Sequence, residues 1–254
     1  MKEKIKVTAV SYLNTKPFLY GLFQTKMNDF IDINLDIPSV CAKKLMNGEA
    51  EIGLVPVAII PELENVHVIS DYCIGCDGAV KTVGIFSHVP ISEITHLYLD
   101  FHSRTSVQLA QILLKEYWKI APKIIPASEG FIDKIKGTVA GVVIGDRAIS
   151  LLDKLPYFYD LGKYWKDHTG LPFVFAAWIS TKPQSDSFIK QFNIALKTGL
   201  DYIPSLIQIL PESAFNLTDY FTKYISYEFT NKKKQALELF LEKISVESAS
   251  LVEK

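Results

Sequence analysis

Lys4-Ile5-Lys6-Val7-Thr8-Ala9, followed by Ser11-Tyr12-Leu13-Asn14-Thr15-Lys16-Pro17, is the stretch whose reading decides how this chain folds. Ile5, Val7 and Ala9 alternate with Lys4, Lys6 and Thr8, and successive side chains of a strand point to opposite faces. The segment therefore reads as a strand with one buried face. Pro17, with its fixed φ and no amide hydrogen, suits the first turn of a helix that continues through residues 18–23. The polar residues before Pro17 are expected to cap that helix. A strand that feeds a helix through a polar loop offers side chains and free amide hydrogens to a ligand.

Outward from there, residues 31–37 alternate as a second strand, and Pro38-Ser39 opens a helix over 40–47 that Gly48 stops, with Ser39 as its expected cap. Residues 50–55 are nearly all apolar, as in a strand covered on both faces, and a short helix runs through Pro61 to Leu63. The opening third is thus β-α-β-α-β-α, which implies a mostly parallel sheet. Residues 72–78 read as an extended edge with a turn at Asp77-Gly78, and 80–86 as a strand. The βα pattern then restarts: strand 96–99, helix 106–117, apolar strand 139–144, helix 147–152. Residues 157–170 read as a strand and loop, 171–180 as a long apolar strand returning to the first module, and the tail from Ser185 as helical throughout. The expected architecture is α/β with two lobes and a ligand cleft between them: residues 1–88 and 176–254 in lobe I, 89–175 in lobe II.

Composition narrows the function. The 254 residues are 48% apolar and 22% charged, the profile of a globular protein, and a net charge of −1 gives no general attraction to nucleic acid or an anionic membrane. An anionic ligand would need a local arrangement. The basic start is followed by only a short apolar stretch, Val7 to Val10, broken by Thr8, which is too brief for a secretion signal. No apolar run reaches the ~18 residues of a membrane span, so the expected location is the cytoplasm. Cys41, Cys73 and Cys76 are an odd count, and Cys73-x-x-Cys76 has no second ligand pair, so packing thiols are expected and no metal site. The five histidines lack metal spacing, and no phosphate-binding or dinucleotide-binding loop occurs, so no cofactor is expected.

Four places could carry chemistry. In the first loop, Asn14 can donate and accept hydrogen bonds beside Ser11, Tyr12 and Thr15; the same residues would also serve as plain helix caps. Ser103-Arg104-Thr105-Ser106 lies between a strand and a helix, where three hydroxyls, a guanidinium and the first amides of the helix suit a carboxylate or phosphate; the alternative is an ordinary Ser/Thr cap with Arg104 in solvent. Asp77-Gly78 through Thr82, and Gly145-Asp146, stand at strand ends. Gly145 permits close approach of a ligand to the backbone, whereas Asp146 could instead cap its helix. Trp165 and Trp178 read as packing residues.

Several segments together resemble a known family. Ser11-Tyr12-Leu13-Asn14-Thr15-Lys16-Pro17, Gly53-Leu54-Val55-Pro56-Val57, Cys76-Asp77-Gly78, Ser103-Arg104-Thr105-Ser106, Ile144-Gly145-Asp146, and Asp160-Leu161-Gly162 with Trp165 and Thr169-Gly170-Leu171-Pro172-Phe173-Val174-Phe175-Ala176 occur in the family's order. They resemble the chorismate dehydratases of the futalosine route to menaquinone, over roughly residues 5 to 180. The resemblance implies a type II periplasmic-binding-protein-like fold and a lyase that converts chorismate to 3-[(1-carboxyvinyl)oxy]benzoate and water. It implies that Asn14 is the key asparagine and that Thr82 occupies the position of a cleft hydroxyl. Substrate contacts would come from Ser11, Tyr12, Asp77, Gly78, Ser103, Arg104, Thr105, Ser106, Gly145 and Asp146, and the partner is the small-molecule substrate alone. Ala79 departs from the family, where a proline often follows the Asp-Gly, and Arg147 is not a position the resemblance requires. A sister lyase that makes a dihydroxynaphthoate carries a Ser-Pro-Cys-type first loop, unlike residues 11–17 here. A non-catalytic carboxylate sensor is the rival from another class.

Overall fold

The structure, a computed structural model, describes residues 3–211 and 215–252. The chain opens with β1 (Ile5–Val10), α1 (Lys16–Gln24), β2 (Ile31–Asp36), α2 (Pro38–Met46), β3 (Ile52–Pro56) and β4 (His67–Cys76). It continues with β5 (Val83–Ser87), β6 (His96–Leu99), α3 (Arg104–Leu113), β7 (Lys123–Pro126), β8 (Val139–Ile144), α4 (Asp146–Ile149), β9 (Tyr157–Asp160) and α5 (Leu161–Thr169). It ends with β10 (Phe173–Ser180), α6 (Asp186–Asp201), α7 (Ile203–Ile209), α8 (Leu217–Asp219), β11 (Ser226–Glu228) and α9 (Asn231–Val252). These elements divide into two units, Met1–Gly75 with Val174–Thr230 and Cys76–Phe173 with Asn231–Lys254.

In the first unit the strands lie in the order β11-β4-β10-β3-β1-β2. β1 pairs in parallel with β2 and β3, as the opening βα pattern requires, while β10 runs antiparallel to β3. Every residue of β3 is buried, in keeping with its unbroken apolar sequence. β4 is not the edge that the sequence suggested, because β11 pairs beside it from within a tail read as wholly helical. The alternation in β11 (buried Tyr227, exposed Glu228) is too short to register as a strand. Helix α1 meets α6 backbone to backbone: a Cβ on Gly21 would lie 1.9 Å from the Ala195 carbonyl oxygen, and one on Gly199 would lie 1.8 Å from that of Pro17. Two glycines thus set where α1 begins, and with it the loop that precedes it.

The second unit holds β7-β6-β8-β5-β9. β6 is parallel to β7 and β8, whereas β5 is antiparallel to both β8 and β9. That pattern gathers the carboxyl ends of β6, β8 and β9 and the amino end of β5 at one edge of the sheet. Phe86, Phe131, Ile135, Val143, Ala148 and Leu151 form its core; burying each large apolar side chain contributes roughly 1.5–3 kcal/mol. Helix α9 belongs here as well, since the Phe240 ring meets Phe173 edge-on at 5.1 Å and Trp165 at 6.3 Å. The lobe boundaries expected at 88/89 and 175/176 assigned β5 and α9 to lobe I, whereas their contacts lie in the second unit. An apolar helical stripe says that a helix is covered, not which sheet covers it.

Three local expectations are corrected. Residues 161–169, read as loop, form α5: the Asp160 carboxylate accepts the Lys163 amide at its start, and Gly170 closes it at φ 73°. Gly162 weakens the helical signal there, yet a Cβ at that position would lie 2.5 Å from Cys76 Sγ and 2.7 Å from the Gly78 carbonyl oxygen. Neither α1 nor α2 has a side-chain cap, and Ser39 sits inside the first turn of α2. Among the described residues no helix is long and apolar enough to cross a membrane.

Candidate functional site

In the first unit, β1 ends at Val10 and Ser11 remains tied to the neighbouring strand through its amide, which donates to the Asp36 carbonyl at 2.9 Å. Leu13–Thr15 form a single 3-10 turn, closed by the Thr15 amide on the Tyr12 carbonyl at 3.0 Å. The Asn14 carbonyl accepts the Tyr227 hydroxyl at 2.9 Å. Tyr227 is buried, which drives its hydroxyl well above the usual tyrosine range and keeps it a donor. Its ring also packs edge-on against Phe18 at 5.2 Å. The backbone of Asn14 is thereby pinned, while its half-buried amide side chain accepts a 3.3 Å hydrogen bond from Thr15 Oγ1. Ser11 is exposed and Tyr12 half-buried in the same loop.

In the second unit the other candidates collect at the sheet edge described above. Ser103 caps α3: its Oγ accepts the Ser106 amide at 3.0 Å and donates to Ser106 Oγ at 3.0 Å. Ser103, Thr105 and Ser106 are buried, whereas Arg104 is exposed. Thr82, also buried, precedes β5, and its carbonyl accepts the Gly145 amide at 2.8 Å, so Thr82 and Gly145 are neighbours across the end of the β5–β8 ladder. Gly145 has φ 64° and ψ −149°, a conformation essentially restricted to glycine. Gly145 itself occupies the cap position of α4, so the alternative of Asp146 as cap does not hold; Asp146 is the exposed first residue of the helix.

Asp77 points outward and pairs with Lys166 Nζ of α5 at 2.6 Å, so its carboxylate serves as a surface tie. Gly78 adopts φ 113°. Sequence reasoning missed Asp160 as an organiser of this loop. Its buried carboxylate accepts the amides of Val80 (3.0 Å) and Lys81 (2.7 Å) as well as that of Lys163, and so clamps the segment leading into Thr82. Burial pushes the Asp160 carboxyl above its ordinary range, against the pull of those three amides. The available signal was the Asp160-Leu161-Gly162 run, which is one of the segments that carry the family resemblance.

Cys41, Cys73 and Cys76 are buried and outside any disulfide; burial pushes the Cys41 thiol up to about 11 and raises that of Cys76 too, so both stay protonated at neutral pH. Trp165 and Trp178 are fully buried, and the Trp165 indole donates to the Pro172 carbonyl at 3.0 Å. A cavity of about 290 Å³ in the first unit opens beside Glu3, Asp29, Phe30 and Gln191, at the amino end of β1 and away from the Asn14 loop.

Known proteins place this geometry in context. The sequence profile described as menaquinone biosynthesis matches residues 5–245. The chain belongs to that menaquinone biosynthesis family. A relative from Thermus thermophilus, a chorismate dehydratase, is 26% identical over 184 residues, which span 65% of this chain and 67% of that protein. Among solved structures, a protein from Archaeoglobus fulgidus superposes with a TM-score of 0.69 at 14% identity, covering 97% of this chain and 98% of its own. An ABC transporter structure from Parabacteroides distasonis gives 0.63 at 18% identity, covering 95% and 91%. A Candida albicans gene product with the generic periplasmic binding protein fold gives 0.54 at 15% identity, covering 94% and 90%. At such identities the likeness concerns fold alone, and this menaquinone biosynthesis protein has the two-lobed, periplasmic-binding-protein-like α/β fold.

Proposed function

We propose that this family member is an enzyme, a hydro-lyase of the chorismate dehydratase type that acts in the cytoplasm without a cofactor. The observation that carries the reading is the gathering of Thr82, Gly145 and the 103–106 helix start at one sheet edge, in a chain related to a chorismate dehydratase. A capped helix start with buried hydroxyls suits a carboxylate, because the first amides of a helix carry partial positive charge and seek acceptors. Chorismate brings two carboxylates, one on the ring and one on the enolpyruvyl ether.

The reaction asks little of a protein beyond placement. The ring carbon that bears the ether oxygen loses its hydrogen as a proton, and the C–H electron pair becomes a ring double bond. The bond to the hydroxyl on the neighbouring ring carbon breaks, and the hydroxide leaves as water with the proton taken from the ring. Aromatic stabilisation of the product supplies much of the driving force. In this reading the substrate's enolpyruvyl carboxylate takes the proton, Asn14 orients the reacting groups, and Thr82 with Ser103 and Ser106 holds the carboxylates. Ser11, Tyr12, Gly78, Arg104, Thr105 and Asp146 line the same substrate, and Asp77, tied to Lys166, braces the turn at Gly78.

Incubation of the purified protein with chorismate tests this directly. The expected result is loss of chorismate with growth of the ultraviolet absorbance of a substituted benzoate and its mass. Chorismate that binds and is recovered unchanged would mean a sensor, and turnover of a cyclic futalosine derivative instead would mean the sister lyase.

A further inference from the structure

Asp100 and Arg147 stand outside every residue assigned above, yet they join the two halves of the sheet-edge site. Asp100 follows β6 and its side chain is fully buried (0% exposed). One carboxylate oxygen accepts the His102 amide at 2.9 Å, and the other accepts Arg147 Nη2 at 2.6 Å. The Asp100 carbonyl also accepts the Ser103 amide at 3.4 Å. Asp100 therefore shapes the turn that delivers Ser103 to its capping position. Arg147 comes from α4, the helix that follows the neighbouring strand β8: it lies two residues after Gly145, whose glycine-only backbone turns the chain and whose amide holds Thr82. The Arg147 Nε is buried without a hydrogen-bond partner, a cost the fold accepts while the guanidinium end serves Asp100. Burial, with the adjacent Arg147 charge, lowers the pKa of His102 despite Asp100, so the imidazole beside this pair stays neutral.

We infer that Arg147 and Asp100 are positioning residues, a half-buried charge pair that locks the 103–106 helix start and the Thr82–Gly145 strand end into one carboxylate-holding frame. The inference rests on the proposed function for its ligand but not for its geometry. Without the guanidinium, a carboxylate buried at the end of β6 loses its counter-charge, and such a group reorganises or takes up a proton. Either response loosens the turn at His102 and the cap at Ser103. A site that holds a substrate carboxylate in both ground and transition states then loses binding more than turnover.

The test uses the full chain as wild type, R147Q, R147K and D100N, with two readouts. One is KM and kcat for chorismate; the other, which needs no ligand, is amide hydrogen exchange at His102, Ser103 and Ser106. In R147Q, KM is expected to rise about tenfold or more while kcat changes less than about threefold. Protection at the three amides should drop by a similar factor. R147K, which keeps the charge, should recover much of both, and D100N is read in the same way if R147Q does not fold. Wild-type KM and wild-type protection in R147Q, or in D100N where that variant stands in, with only the melting temperature lowered, would overturn the inference. If the wild type leaves chorismate untouched, the proposed function fails, and the exchange arm decides the positioning role alone.

Discussion

Two strand-loop-helix junctions, one in each unit, solve the same construction problem in opposite ways. At residues 11–17 the helix start has no side-chain cap, and the loop is held from outside by the Tyr227 hydroxyl on the Asn14 carbonyl and by the glycine contact of α1 with α6. At residues 103–106 the helix start is held from within, with Ser103 and Ser106 bonded to each other and Asp100 bracing the turn. The first arrangement pins the backbone and leaves the Asn14 amide side chain presented by the loop. The second uses its hydroxyls to order a buried, partly positive helix end. Orienting a reacting group suits the first junction and holding an anion suits the second.

The strongest way to break this contrast is Asn14→Ala. Turnover should fall about a thousandfold, as when a positioned hydrogen-bonding group is removed from a reaction centre. The melting temperature should barely change, since the anchoring bond to Tyr227 uses the Asn14 backbone; retention of most activity would overturn the assigned role. Gly199→Ala attacks the external support. Its new methyl would press on the Pro17 carbonyl oxygen, so denaturant unfolding should show a loss of roughly 1–3 kcal/mol. Turnover should fall as the loop shifts, while the capping geometry at Ser103 is untouched.

Ser103→Ala should separate the junctions more finely. Loss of an N-cap costs about 1 kcal/mol, and KM should rise with kcat nearly unchanged; a collapse of kcat would assign chemistry rather than binding to this junction. The smallest effect concerns the far end of the same helical stretch, where Glu116 accepts from His168 Nε2 at 3.0 Å and Lys243 Nζ at 2.6 Å. Burial alone would raise the Glu116 carboxyl, but the hydrogen bonds from Lys243 and His168 outweigh it and leave it below its ordinary 4.5. A lowered carboxylate contributes stability that is present above pH 4.5 and is lost as pH falls from there through the folded value. Glu116→Gln should flatten that acid limb and cost no more than about 1 kcal/mol at neutral pH, because the group is partly exposed.

Much of both junctions was legible in the chain itself. The alternation of Ile5, Val7 and Ala9, the unbroken apolar runs of β3 and β8, and Ser103 as a cap are local matters, governed by side-chain direction and by hydrogen bonds between residues a few positions apart. Helix α5 escaped because Gly162 lowers helix propensity for a reason that lies across the unit, at Cys76 and Gly78. Asp160 and Asp100 escaped because a carboxylate that accepts amides from distant strands looks, in sequence, like any acidic residue.

By itself, then, the sequence determined the α/β alternation, the two strand-loop-helix junctions and, through its ordered motifs, the menaquinone biosynthesis family. Only the tertiary structure decided that β5 and α9 join the second unit, that Asp146 leaves the cap of α4 to Gly145, and that Arg147 reaches Asp100. The physical reason is range. Periodicity and capping act over a few residues and leave a local mark, whereas strand order and buried charge pairing are set by which distant segments share a core.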